Sequence, residues 1–167
     1  MSIAVVTGCA GFIASHLVDE LLKNNWIVYG IDNFHPYYSR KLKEFNLTNS
    51  KISKNFSFIE GSILSEIDLE KLPKKIDYLF HYAAIAGVRN SILNPEEYFK
   101  INLVGTKKLL NRFSNINKVI FASTSSVYGE VNSHDFPVNE NHTLNPISPY
   151  GESKKQAEEF CTEFTKN

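Results

Sequence analysis

Two residues whose types suit proton transfer lie near the end of this 167-residue chain. Tyr150 and Lys154 are four positions apart, so they would share one face of a helix. A phenol with its ordinary pKa of about 10 is a poor base at neutral pH, but a neighbouring ammonium group makes the phenolate accessible. The pair therefore suits proton transfer to or from a sugar hydroxyl while a hydride moves to a nicotinamide ring.

The same spacing occurs at Tyr37 and Lys41, in a loop-like stretch, so spacing alone does not establish this chemistry. The later pair differs because it lies on the predicted buried stripe of the last helix. A lysine on such a stripe is costly to bury unless it has a partner or a task. We therefore expect the later pair to be the functional one. The stripe continues through Ala157, Cys161 and Phe164.

A hydroxyl-rich segment, FASTSSVYG, ends the fifth predicted strand. Parallel sheets bind ligands at the carboxyl ends of their strands, so a hydroxyl here could orient a substrate oxygen beside Tyr150. A solvated turn rich in serine and threonine would have the same composition. Both interpretations stand on this pattern alone.

The segment VVTGCAGFIASHL places Gly8, Gly11 and Ala14 between an apolar run and a predicted helix. The first glycine permits a tight turn, the second lets the backbone approach a phosphate, and a small third residue lets the helix pack on the strand. A helix N-terminus also attracts anions. An ordinary tight turn has a similar sequence, so the context decides.

The context is Asp32, which directly follows the second predicted strand about 20 residues after the glycines, where a carboxylate can accept both hydroxyls of an adenosine ribose. Its charge would repel a 2′-phosphate, which predicts NAD rather than NADP. Two alternatives remain open. Asp32 could serve only to cap its loop, and Arg40 with Lys41 could favour NADP.

The segments that must position these residues alternate between apolar runs typical of β-strands and patterns typical of helices. This order predicts an α/β fold, a Rossmann-type doubly wound parallel sheet with right-handed crossovers. The length allows one core, so we predict one NAD-binding domain over residues 1–167, an incomplete one that stops after the fifth strand and the catalytic helix. A helix is predicted from about Phe12 to Lys23, with Ile13, Leu17 and Leu21 on one face. The predicted strands are Ile3–Thr7, Trp26–Ile31, Phe56–Glu60, Ile76–His81 and Lys118–Ser123.

The composition excludes several classes of partner. Eighteen basic and 18 acidic residues give no net charge, which disfavours nucleic acid and membrane surfaces. No apolar run approaches the roughly 20 residues of a membrane span, and no signal peptide is recognised. The isolated Cys9 and Cys161 have no metal-ligand spacing. We expect a cytoplasmic protein without a metal.

In combination these segments resemble the extended short-chain dehydrogenase/reductases, particularly the NAD-dependent nucleotide-sugar 4-epimerases. The matching segments follow the family order and cover essentially the whole chain. They are TGCAGFIASHL, GIDNF, HYAAIAGVRNS, NPEEYFKINLVGT, FASTSSVYG and SPYGESK. The resemblance implies bound NAD and epimerisation at C4 of a UDP-sugar through a transient 4-keto intermediate.

The resemblance also implies roles for individual residues. Tyr150, Lys154 and Thr124 would be the catalytic residues, with Tyr150 as the base and Thr124 as a catalytic hydroxyl. Tyr150 and Lys154 would also contact the cofactor, Lys154 through the nicotinamide ribose. Ser123 would lie next to nicotinamide. The other implied cofactor contacts are Gly8, Gly11, Phe12, Ile13, Asp32, Asn33, Ser62, Ile63, Ala83, Ala84, Ala86 and Asn102.

Departures from the family pattern narrow the reaction. The related 4,6-dehydratases carry an Asp-Glu pair where this chain has Ser125 and Ser126, and the decarboxylating members use a glutamate at the second position. Serine hydroxyls cannot act as acid and base near neutral pH, so dehydration and decarboxylation are disfavoured. Ser62 replaces the acid that usually accepts from the adenine amino group.

The segments GIDNFHPYY and AGVRNS most resemble UDP-glucuronate 4-epimerases, which favours a UDP-hexuronate over a UDP-hexose. Arg89 could pair with a sugar carboxylate or phosphate, or be an exposed loop arginine. Thr124 and Ser125 are further candidates for substrate contact.

Family members are roughly twice this length, so the chain resembles their N-terminal portion without the substrate domain. We therefore expect weak or absent turnover by these residues alone. The resemblance suggests a homodimer through helices at about 95–113 and 149–164. A catalytically silent NAD-binding module and an NADP-dependent sugar reductase remain the alternatives.

Overall fold

A computed structural model of the chain describes residues 1–113 and 116–166. Five strands form one parallel sheet in the order β3-β2-β1-β4-β5. The predicted Rossmann-type α/β fold is confirmed. The strands are β1 Ile3–Thr7, β2 Ile27–Asp32, β3 Phe56–Glu60, β4 Tyr78–His81 and β5 Lys118–Phe121.

The predicted strand positions differ from these bounds only at the ends. β2 begins one residue later than predicted and includes Asp32, whereas β4 begins at Tyr78 and β5 ends at Phe121. The centre of the sheet is apolar on both faces, since Ala4, Val5 and Val6 of β1 are fully buried. Continuous apolar runs therefore identified the strands. The polar residues at their carboxyl ends made the exact strand ends harder to predict.

Seven α-helices and three shorter helical turns are found in the described part of the chain, together with a π-helical segment at Phe99–Val104. The 3-10 turn used below is Ser125–Val127. The α-helices are α1 Phe12–Lys23, α2 Arg40–Asn46, α3 Glu66–Glu70, α4 Val88–Leu93, α5 Pro95–Tyr98, α6 Gly105–Asn111 and α7 Pro149–Lys166.

The buried face of α1 differs from the predicted one. Ala14, Val18 and Leu21 are buried, but Ile13 is 65% exposed. The helix begins directly after a tight turn, and the small Ala14 side chain faces the core at that point. The prediction that Ile13 faces the core is therefore wrong, although Leu21 lies on the buried face as expected.

The chain forms two compact units. The first, Met1–Ala84 with Lys108–Ala122, contains the whole sheet with α1, α2 and α3. The second covers residues 85–107 and 123 onward, where α7 packs against α4, α5, the π-helical segment and the Ser125–Val127 turn. The assignment of residues 1–167 to one domain stays a prediction.

The described residues contain neither a helix that could cross a membrane nor a cluster of metal-binding side chains. No helix there has the length and apolar character that a membrane crossing requires. No group of three or more histidine, cysteine, aspartate or glutamate side chains in the same ranges is placed to hold a metal ion.

Candidate functional site

The first glycine of the sequence pattern lies where a side chain could not. Gly8 has a φ of +67°, and its N–H donates to the carbonyl of Ile31 at 2.8 Å. A Cβ atom on Gly8 would lie 2.9 Å from the backbone nitrogen of Ala83. Both the backbone conformation and the close approach to the end of β4 therefore require glycine.

The second glycine caps α1 without a side chain. Gly11 is the N-cap residue, and a Cβ atom there would lie 3.0 Å from the carbonyl oxygen of Gly8. The next residues, Phe12 and Ile13, are 71% and 65% exposed. Residues 8–11, called the glycine turn below, thus leave bare backbone and apolar surface at a helix N-terminus, which fits a dinucleotide pyrophosphate.

A tyrosine hydroxyl lies at this helix start. The Phe12 N–H donates to the Oη atom of Tyr38 at 3.1 Å. Burial raises the pKa of Tyr38, and the bond from Phe12 acts in the opposite direction. Because the Phe12 N–H already donates to Tyr38, a phosphate oxygen that binds this N–H would displace the phenol.

Asp32 is only 6% exposed and already has three donors. Its Oδ2 atom accepts from the Ala10 N–H at 3.2 Å, and its Oδ1 atom accepts from the Phe34 N–H at 2.8 Å and Lys43 Nζ at 3.1 Å. Asp32 therefore does cap its loop. A ribose hydroxyl can add at Oδ2, whereas contact with both hydroxyls would require Lys43 to move.

The residues that sequence reasoning missed here come from one segment, Tyr38 to Asn46. It supplies the Tyr38 phenol, the Lys43 ammonium and the amide of Asn46, whose Nδ2 atom donates to the Ala10 carbonyl at 2.9 Å. The available signal was Ser39, which caps α2 by accepting from the Leu42 N–H at 3.3 Å. A serine before a short helical run indicates such a start.

Replacing Asn46 tests how much its hydrogen bond to Ala10 stabilises the glycine turn. We expect Asn46→Ala to lower the free energy of unfolding by about 1 kcal/mol, because a partly buried carbonyl loses its donor. Asn24→Ala is the matched control, since its bond to the Glu20 carbonyl is exposed and local. Urea denaturation of both variants measures the difference, and equal effects would contradict a role for Asn46 in supporting the turn.

The remaining predicted cofactor positions of the first unit differ in exposure. Asn33 is exposed, and its Oδ1 atom accepts from the His35 N–H at 3.0 Å. Ile63 is buried, Ser62 and Ala83 are half-buried, and Ala84 is exposed. The Ser62 N–H donates to Asp68 at 3.1 Å, so an acid from α3 adjoins the position where the family acid is replaced. Their contacts with a cofactor stay predictions.

The tyrosine and lysine of the second unit lie on the first turns of α7. The helix begins at Pro149 as predicted, and the hydroxyl of Ser148 caps it by accepting from the Gly151 N–H at 3.1 Å. Tyr150 is half-buried and meets the ring of Tyr98 edge-on, with 6.0 Å between centroids. Lys154 is 2% exposed.

Burial lowers the pKa of Lys154 from 10.5 to about 8. Electrostatic interactions with Cys161 and Glu158 act in the opposite direction but less strongly. Lys154 is therefore still mostly charged at neutral pH, although its environment disfavours that charge. The other pair with this spacing is different, because Tyr37 is 51% exposed and Lys41 is exposed as well.

The hydroxyl segment after β5 packs on the same end of α7. Thr124 caps the Ser125–Val127 turn, and its Oγ1 atom accepts from the Ser126 N–H at 3.2 Å. A Cβ atom on Gly151 would lie 2.5 Å from the Ser126 carbonyl oxygen, so only glycine fits between this turn and the helix. The structure thus brings the Thr124 turn beside the helix start that holds Tyr150. Ser123 and Ser125 are exposed.

Asn102 lies in the π-helical segment and is 1% exposed. Its amide accepts from the Ile85 N–H at 2.9 Å and donates to the Ile85 carbonyl at 3.0 Å and to Ser153 Oγ at 3.1 Å. Asn102 therefore holds residue 85 and the helical residue before Lys154 together, and its predicted cofactor contact stays a prediction. π-Helical turns are frequent at functional sites.

Two further predicted positions are found in the second unit. Ala86 is exposed, and its carbonyl accepts from the Tyr98 hydroxyl at 2.8 Å. Arg89 is exposed on α4, which is compatible with either a ligand contact or a solvent-exposed arginine, so its substrate contact stays a prediction.

Known proteins resemble the chain over nearly its whole length. The uncharacterized UDP-glucose epimerase YtcB of Bacillus subtilis is 44% identical over 161 residues, which are 94% of this chain and 50% of that protein. The UDP-glucose 4-epimerase of Pisum sativum is 36% identical over 167 residues, 97% of this chain and 47% of that protein. The chain thus spans about half the length of these curated relatives.

Solved structures give the same result. A crystal structure of UDP-glucuronic acid 4-epimerase from Bacillus cereus, in complex with UDP-glucuronic acid and NAD, is 40% identical with a TM-score of 0.89 and covers 99% of this chain and 52% of that chain. NAD, the cofactor predicted from the glycine turn and Asp32, is thus the cofactor of this neighbour. Residues 5–167 match the sequence profile described as GDP-mannose 4,6 dehydratase. The chain belongs to this family, a branch of the short-chain dehydrogenase/reductases.

Proposed function

We propose that the protein is an NAD-dependent UDP-sugar 4-epimerase. The observation that carries the proposal is the buried Lys154, one turn from Tyr150 on a helix that also packs against the Thr124 turn. A buried lysine lowers stability, so its place beside a phenol and a hydroxyl favours a chemical task. A silent nucleotide-binding module would need the glycine turn but not this second cluster.

The reaction divides between the residues of the second unit. Tyr150 accepts the proton of the sugar 4-hydroxyl, and later returns one to the 4-keto oxygen. The ammonium of Lys154 stabilises the negative charge that develops on the phenol. The Thr124 hydroxyl donates to the same sugar oxygen and orients it. Bound NAD would supply the hydride acceptor for C4 and the donor for its return to the opposite face, so no second substrate would be consumed.

The residues of the first unit suit the cofactor. The bare backbone of Gly8 and Gly11 receives the pyrophosphate at the start of α1. Asp32 receives one ribose hydroxyl at Oδ2, the oxygen with a single donor. The exposed Phe12 and Ile13 offer apolar surface to a ring. NAD in the structural neighbours supports this assignment.

Epimerisation is favoured over dehydration by Ser125 and Ser126, which supply no acid–base pair. The substrate is a UDP-sugar, with UDP-glucuronate preferred over a UDP-hexose on the strength of GIDNFHPYY, AGVRNS and the exposed Arg89. The Bacillus cereus neighbour that binds UDP-glucuronic acid supports this preference. A homodimer through the helices at about 95–113 and 149–164, and a cytoplasmic location, complete the proposal.

The test begins with the nucleotide. Purified protein is denatured and the released nucleotide is identified by mass; we expect NAD. UDP-glucuronate carrying deuterium at C4 is then supplied to the whole protein. The label should remain at C4 of both epimers, because the hydride is returned internally. We expect the 167-residue chain alone to turn over weakly or not at all, since substrate positioning supplies much of the barrier reduction.

Three results would contradict the proposal. Release of NADP, or net consumption of the cofactor, would favour the reductase. Absence of any bound nucleotide, together with no binding of added NAD, would contradict cofactor binding itself. Loss of the label to solvent would contradict the internal return of the hydride.

A further inference from the structure

Two acidic residues end neighbouring strands of the first unit. Asp32 of β2 and Glu60 of β3 are register partners at the carboxyl ends of these strands. Each pairs with a different cation of α2. Lys43 contacts Asp32 in a buried pair, and the exposed Arg40 contacts Glu60 with Nη1 and Nη2 at 2.8 and 2.9 Å. Both ion pairs therefore lie at one edge of the sheet.

Arg40 is held by more than one carboxylate. Its Nε atom donates to Glu44 at 2.8 Å, and its guanidinium carbon lies 4.2 Å from the ring centroid of Phe34. The bonds to Glu60 and, next, to Glu44 raise the pKa of Arg40, and the bond from Arg40 lowers the pKa of Glu60. A lone exposed ion pair is weak, but a bidentate guanidinium with a second carboxylate and a stacked ring forms an ordered network.

This edge is where the proposed cofactor would expose its adenosine ribose. In parallel sheets of this kind an acid at the end of the second strand binds the 2′-hydroxyl of NAD, and a nearby arginine accommodates the 2′-phosphate of NADP. Arg40 is such an arginine, because it stacks on Phe34, whose N–H is bonded to Asp32. Its donors nevertheless face Glu44 and Glu60.

We propose that Glu60 and Glu44 select NAD over NADP by holding Arg40 away from the cofactor. The inference rests on the proposed function, since it concerns the same nucleotide site. The Nε, Nη1 and Nη2 atoms of Arg40 each donate to one of these two carboxylates, so the edge presents an occupied guanidinium to a 2′-phosphate. Glu60 and Glu44 act through Arg40 and are positioning residues. An arginine is present at this edge, but its guanidinium is already bonded to Glu44 and Glu60. NAD is therefore selected over NADP.

The test compares dissociation constants for NAD and NADP by calorimetry. Adenosine 2′,5′-bisphosphate and 5′-AMP serve as minimal probes of the 2′-phosphate. In the double variant Glu44→Gln with Glu60→Gln, we expect the preference for NAD over NADP to fall at least about tenfold, because the freed guanidinium can bind the phosphate. The gain should shrink at high ionic strength, since the site is exposed.

Two controls distinguish the release of Arg40 from a general loss of structure. Adding Arg40→Met to the double variant should restore the original preference. In the wild-type background Arg40→Met should not weaken the preference for NAD, because the arginine is already occupied and its loss leaves Glu44 and Glu60 without this cation. Circular dichroism melting checks that each variant is folded, and the Arg40→Met result stands even if the double variant unfolds.

The outcomes distinguish this inference from the proposed function. A wild-type protein that binds NAD, with a double variant whose preference does not change, overturns the inference alone. A triple variant with Arg40→Met that keeps the altered preference of the double variant also overturns it, because a group other than Arg40 would then bind the phosphate. A wild-type protein that binds neither nucleotide overturns both.

Discussion

Tyr150→Phe should lower kcat of the whole protein by about 10²–10⁴-fold, the usual contribution of a positioned general acid–base group. The variant removes only the hydroxyl. The edge-on contact between the ring and Tyr98 is retained, so the fold should be unchanged. We expect bound NAD to be retained as well, because the glycine turn and Asp32 lie in the other unit. Single-turnover assays with UDP-glucuronate measure the loss.

Tyr37→Phe is the matched control for this prediction. It makes the same change at the same spacing from a lysine, but Tyr37 is exposed and lies outside α7. Its kcat should equal that of the wild type. A Tyr150→Phe variant that turns over at the wild-type rate would remove the base from the proposed mechanism, whatever the control shows.

Lys154→Met should make the cofactor-free protein more stable at neutral pH, by about 3 kcal/mol at about pH 7. The reason is that burial lowers the pKa of Lys154 from 10.5 to about 8, so the folded state holds a charge that the unfolded chain holds more easily. Methionine fills a similar volume without the charge. Urea denaturation of the wild type and the variant gives the difference.

The pH dependence fixes the sign of this effect. Because the pKa is lower in the folded state, the unfolded chain binds more protons between about pH 8 and 10.5, and the wild-type free energy of unfolding rises with pH across that window. The advantage of the variant is therefore full below the window and should shrink to about 1 kcal/mol by about pH 10. Lys155→Met, one residue along the same helix, controls for the substitution.

A Lys154→Met variant that is less stable than the wild type at neutral pH, by an amount that does not change with pH, would contradict this account. Stabilisation together with loss of turnover would show that the lysine is kept for its chemistry. Such opposed effects on stability and activity are typical of functional residues in buried positions.

The structural features that depend on residues close together in the chain were predictable from the sequence. Continuous apolar runs such as that of β1 are typical of strands buried on both faces, so the sheet was recognisable. Pro95 and Pro149 lie at the first positions of α5 and α7, where proline is favoured because its missing N–H costs nothing. The buried face of α1 was predicted incorrectly at Ile13, because the turn before the helix decides which side meets the sheet.

Contacts between distant residues were not predictable in the same way. Lys43 pairs with Asp32, Asn46 with Ala10 and Tyr38 with Phe12, and these bonds depend on where α2 folds back over the glycine turn. The π-helical segment gave no signal either, since its residues are ordinary helix formers. For Tyr150 and Lys154, by contrast, spacing and the cost of burial were both visible in the sequence.

The buried pair of Asp32 and Lys43 has an evolutionary consequence. Losing either residue first would strand the other as an uncompensated charge inside the protein, a strongly destabilising step. We therefore expect related sequences either to keep both residues or to replace both together, so that the two positions covary. Asp32, the acid proposed to bind the cofactor ribose, is consequently retained by its buried ion pair as well as by any selection for binding.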